Sequence, residues 1–65
     1  MNFSAIPSDI INKTVKVFIG NFSFYGECIE LGEEEENYLK LKETDDNILL
    51  ININSVDVLT IIENE

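Results

Sequence analysis

The chain has 65 residues, a net charge of −9, one cysteine and no histidine. Those counts predict a single domain over residues 1–65, near the smallest size that one core stabilises, and exclude disulfide staples and the common zinc sites. A hydrophobic share of 45% beside 26% charged residues excludes a disordered acidic chain and leaves oligomerisation as the ordinary source of extra stability.

The opening MNFSAIPSDII has no basic segment followed by a long apolar core, and no apolar run approaches the ~20 residues that span a bilayer. The expected location is therefore cytoplasmic, with no membrane partner. Within that opening, Phe3 and Ile6 are expected to cover one end of the core. Pro7 is placed to start a short helix, with Ser8 and Asp9 in its first turn and Ile10 and Ile11 buried. A helix this brief needs a sheet to pack on.

From Thr14 to Ile19, apolar Val15, Val17 and Ile19 alternate with Thr14, Lys16 and Phe18, the period of a strand with one face inward. Gly20-Asn21 has the chemistry of a two-residue primed hairpin turn. The next strand, Phe22 to Leu31, carries Phe22 and Phe24 on one parity and Ile29 and Leu31 on the other. Gly26 lies between them and is the expected place for the bend that changes the facing. Gly32 and Glu33 to Glu36 read as a solvated loop of like charges. Tyr38 to Lys42 then alternates again, with Leu39 and Leu41 inward and Lys40 and Lys42 set to pair with Glu27 and Glu30. Thr44 to Asn47 is turn chemistry, and Glu63-Asn64-Glu65 reads as a charged, solvated end.

The last two strands, Ile48 to Ile53 and Val56 to Ile62, are apolar on both parities. A strand apolar on both sides is covered on both sides, and this chain has too few elements to do that internally. The pattern predicts a subunit interface through Leu49, Ile51, Ile53, Val58, Leu59 and Ile61. The whole reading is an all-β fold: a five-stranded, strongly bent, antiparallel small barrel with a short N-terminal helix.

The remaining features carry little chemistry. Catalysis has no foothold, because there is no histidine, no nucleophile beside a base, no phosphate loop and no metal-ligand spacing, so no catalytic residue, metal or cofactor is expected. Carboxylates at Glu33 to Glu36 suit a hard cation in principle, but consecutive residues do not converge on one ion, and a solvated turn is the plainer reading. Cys28 reads as a small buried hydrophobe. Tyr25 and Tyr38 read as packing or rim residues, and Asn54-Ser55 as a turn. A basic nucleic-acid face is hard to assemble from Lys13, Lys16, Lys40 and Lys42 alone.

The order of elements, with a long bent second strand, resembles the Sm-like family of small barrels of SH3 type. So do particular stretches. IPSDIINKTVKVFI is similar to that family's helix and first strand, and Phe24-Tyr25-Gly26 followed by Cys28-Ile29-Glu30-Leu31 to its glycine-hinged second strand. Asn37-Tyr38-Leu39-Lys40-Leu41 resembles the end of the first Sm motif, and Ile51-Asn52-Ile53-Asn54-Ser55-Val56 sits where the second belongs. The resemblance implies a homo-oligomeric ring in which the fourth strand of one copy pairs with the fifth of the next, and single-stranded RNA contacted through Asn37, Asn52 and Asn54.

Two departures count against RNA. Gly32 and then Glu33 to Glu36 stand where that family carries an aspartate and then a stacking side chain, and Asn52-Ile53 replace its arginine-glycine pair. Base stacking is worth ~1–3 kcal/mol per base, and phosphate neutralisation is lost with the arginine. The sequence thus supports two functional expectations: an RNA-associated ring protein, or an acidic ring scaffold that takes a basic protein partner.

Overall fold

A computed structural model describes residues 1–62; the expectation for Glu63-Asn64-Glu65 lies outside the described residues. Five strands form, β1 (Thr14–Ile19), β2 (Phe22–Leu31), β3 (Tyr38–Lys42), β4 (Ile48–Asn52) and β5 (Val58–Ile62). They make one antiparallel sheet in the order β4-β3-β2-β1-β5. The sheet is open among the described residues: β4 and β5 are its edges, and no ladder joins them into a barrel.

One core draws on the inward faces of every strand. Val15 and Val17 of β1, Cys28 of β2, Leu39 and Leu41 of β3 and Ile51 of β4 are buried together with Ile6, Ile10, Ile53 and Val56, and Leu59 and Ile61 of β5 pack against them. Alternation explains the choice of side chains, since period two sends odd-numbered residues of β1 and β3 to the same face. The β1–β2 turn is as tight as expected. Ile19 pairs with Phe22 across it, and Gly20 has φ +59, a conformation that costs a residue with a side chain ~1–2 kcal/mol. Asp57 fixes this turn by accepting the Gly20 N–H at 2.7 Å.

The expected helix after Pro7 is replaced by turns, and the short 3-10 turn of this region lies earlier, at Phe3–Ala5. Ile10 donates its N–H to Pro7 O at 3.2 Å, and Lys13 donates to Ile10 O at 3.0 Å. The reason lies just downstream. Asn12, at φ 72, donates to Cys28 O at 2.7 Å, while Cys28 donates to Lys13 O at 2.9 Å. Two residues therefore oppose one, as in a β-bulge, and the sheet captures the chain before a helix has room to nucleate. Ile10 is fully buried, but Ile11 is 36% exposed and does not join it.

The facing of β2 changes three residues later than Gly26. Phe24, Gly26 and Cys28 keep one parity, and the ladder with β3 shifts between Cys28 and Glu30, stepping over Ile29. That bulge leaves Ile29 exposed and lets Leu31 turn inward. Gly26 answers a different need. A Cβ built there would stand 2.7 Å from the backbone oxygen of Lys42, so only glycine lets the end of β3 fold this closely over β2.

Candidate functional site

Two surfaces draw attention, the sheet edges and the corner where the acidic loop meets β4. On β4, the side chains alternate: Leu49 is half-buried and Ile51 buried, while Ile48 is 50% and Leu50 67% exposed. On β5, Val58 is 50% exposed, with Leu59 and Ile61 half-buried. The six predicted interface residues therefore separate. Ile51 and Ile53 are buried in the chain's own core; Leu49, Leu59 and Ile61 line the inner margins of the two edges; Val58 is open. Ile48 and Leu50 were missed. Once the fold places Ile51 inward, period two puts both of them outward.

Inside the β4 edge, a cleft is lined by Ile19, Phe24, Leu49, Leu50, Ile51, Asn52 and Ser55, an apolar margin that the chain does not fill. Neither Ile48–Asn52 nor Val58–Ile62 holds a lysine or proline, two residues that natural sheets use against edge pairing.

At the corner, Asn37 ends the acidic loop at φ 57. Its N–H donates to Glu33 O at 2.8 Å, and its carbonyl accepts the Ile53 N–H at 3.0 Å, so loop and β4 end are tied together. Its side-chain Oδ1 is buried without a partner among the described residues. Asn52 lies one step away, opposite Tyr38. Its Oδ1 accepts the Asn54 N–H at 2.9 Å and caps the short turn Ile53–Ser55. The structure thus brings Asn37 and Asn52 to one corner, and it accounts for Asn52 and Asn54 as turn chemistry.

The Glu33 to Glu36 loop closes on itself: Glu33 N–H donates to Glu36 Oε1 at 3.0 Å, and Glu36 N–H to Glu33 O at 2.9 Å. Among the described residues no group of three or more carboxylate, cysteine or histidine side chains is placed to hold a metal ion.

Beside the loop, Tyr38 lies over Gly32, whose missing side chain leaves room for the ring. The Tyr38 hydroxyl donates to Glu30 Oε2, and Lys40 Nζ stands 3.4 Å from Glu30 Oε1. Lys40 therefore takes its expected partner, whereas Lys42, in register with Glu27, pairs instead with Asp46 at 3.5 Å. The hydrogen bond to Glu30 pushes the Tyr38 phenol up to about 12 and holds the Glu30 carboxyl below its usual range, with Lys40 adding to the second effect. In a Tyr25→Phe variant, the remaining tyrosine should deprotonate near 12 by ultraviolet titration. Stability from Glu30 should be present above the unfolded carboxyl pKa and be lost as pH falls through the lowered folded value. Tyr38→Phe should shrink that acid-side loss, as read by unfolding at successive pH values. Cys28 is buried in the core, and desolvation pushes its thiol up, as expected of a packing residue.

No helix among the described residues is long and apolar enough to cross a membrane. Compared with family models, with curated proteins and with solved structures, the chain gives no match, and its function is read from the edges and the Asn37 corner themselves.

Proposed function

We propose that this chain is a ring-forming module of Sm-like type, in which β4 of one copy pairs with β5 of the next, and that it works as an acidic interaction scaffold. One observation carries the reading. The two most apolar strands of the chain, β4 and β5, are the two edges of its open sheet. Each edge presents unpaired backbone groups and apolar side chains, a combination that is costly in water and is relieved by adding a strand. Pairing β4 with β5 is heterologous, and a heterologous contact that closes removes every edge at once. The half-buried Leu49, Leu59 and Ile61 would then complete a core across the junction. Light scattering tests this directly: a mass of several times 7.4 kDa is expected, and a monomer at high concentration would refute it.

A charge of −9 on each copy makes a basic protein the complementary partner of such a ring. RNA is the second reading, favoured by the corner at which Asn37 and Asn52 stand close together, tied through the Ile53 N–H and the Tyr38–Asn52 pair. The Glu33 to Glu36 run beside it repels phosphate. Titration with a uridine-rich or adenine-rich single strand at low salt decides the matter: saturable binding that Asn37→Ala abolishes supports RNA, and no binding leaves the scaffold alone.

A further inference from the structure

We infer that the assembly is gated by the chain's own charge, so that ionic strength sets its state; the inference rests on the edge-pairing reading above. Both edges are uncharged, since neither Ile48–Asn52 nor Val58–Ile62 holds an ionisable side chain. Salt therefore has no ion pair to weaken along those strands. Each copy nevertheless brings a net −9 to the junction.

That net already counts the four lysines, three of which are held in ion pairs within the chain. Lys13 is paired with Asp9 at 3.1 Å, Lys40 with Glu30 at 3.4 Å and Lys42 with Asp46 at 3.5 Å, while Lys16 Nζ sits 5.4 Å from the centre of the Phe18 ring. The densest negative run lies against one of the edges. Asn37, which closes the Glu33 to Glu36 loop, accepts the Ile53 N–H immediately after β4. A copy docking along β4 meets, at the Asn52 end, the loop that holds Glu33 to Glu36.

That repulsion reaches ~30 Å at 0.01 M salt but only ~3 Å at 1 M. Apolar contact favours the junction at any salt, whereas repulsion opposes it only while unscreened. The sign is opposite to that of an interface held by ion pairs: here salt promotes assembly.

The test is sedimentation of the whole chain at a series of concentrations in 0.01 M and 0.5 M sodium chloride. The concentration at half-assembly should fall by at least about tenfold at the higher salt, as screening removes the repulsion. The variant E33Q/E34Q/E35Q keeps the Glu36 hydrogen bond of the loop and should assemble at low salt where the natural chain does not. A multimer of unchanged affinity across the range, or one that dissociates as salt rises, overturns the inference and leaves edge pairing intact. A salt response identical in the triple variant also overturns it, because the effect would then be salting-out of apolar surface. A monomer in every condition, matching Leu50→Asp, overturns the edge-pairing reading and the inference with it.

Discussion

Leu50→Asp is expected to turn the multimer into folded monomers, whereas Ile51→Asp, one residue further along the same strand, is expected to abolish folding. Leu50 is 67% exposed and lies opposite Lys40. An aspartate there meets water and a cationic neighbour within its own chain, so the monomer tolerates it. A copy docked on β4 would instead take that charge out of water beside the apolar side chains of β5, which costs several kcal/mol. Val58→Asp on the other edge should act the same way. Ile51 is 5% exposed in the single chain. Removing its side chain alone costs ~2–5 kcal/mol, and a buried carboxylate adds to that. A domain of this length holds only about 3–10 kcal/mol in total. Light scattering reads the first outcome and circular dichroism the second. A Leu50→Asp chain that stays multimeric would place the junction elsewhere.

Gly26→Ala should lower stability by roughly 1–3 kcal/mol in urea unfolding, the usual cost of forcing an extra group into a filled space. The clash is with the backbone oxygen of Lys42, 2.7 Å from the new Cβ, and a carbonyl at the end of β3 cannot swing aside as a side chain tip does. Relief requires β3 to lift from β2, which would disturb Leu41, paired with Cys28 and fully buried. An unchanged urea midpoint would mean that the two strands separate more easily than their registry implies.

Alternation made β1 and β3 legible, residue for residue, because each has one inward face and period two identifies it. The Gly20 turn was legible for a local reason as well, since few residues take its positive φ cheaply. The segment after Pro7 misled, because proline followed by small acidic residues suits a helix start, while the Asn12–Lys13 bulge against Cys28 depends on a strand distant in sequence. Gly26 misled in a related way. A glycine in a strand announces some distortion, but only the β2–β3 ladder decides that the shift falls at Ile29 and that Gly26 serves a close backbone approach.

For the candidate site, the apolar excess of the last two strands was already evident in the chain. Which of those residues face outward was not, since a strand apolar on both parities gives no sign of which face the core will claim. By itself, then, the sequence determined an acidic all-β chain with five strands and too much apolar surface in the last two. Only the tertiary structure decided that these strands stand at opposite edges of one open sheet, with Leu50 and Val58 outside, Ile51 and Ile53 inside, and the Asn37 acceptor left without a donor among the described residues. The physical reason is that propensity and alternation act between near neighbours, whereas edge, core and orphaned acceptor are set by pairings between strands far apart in the chain.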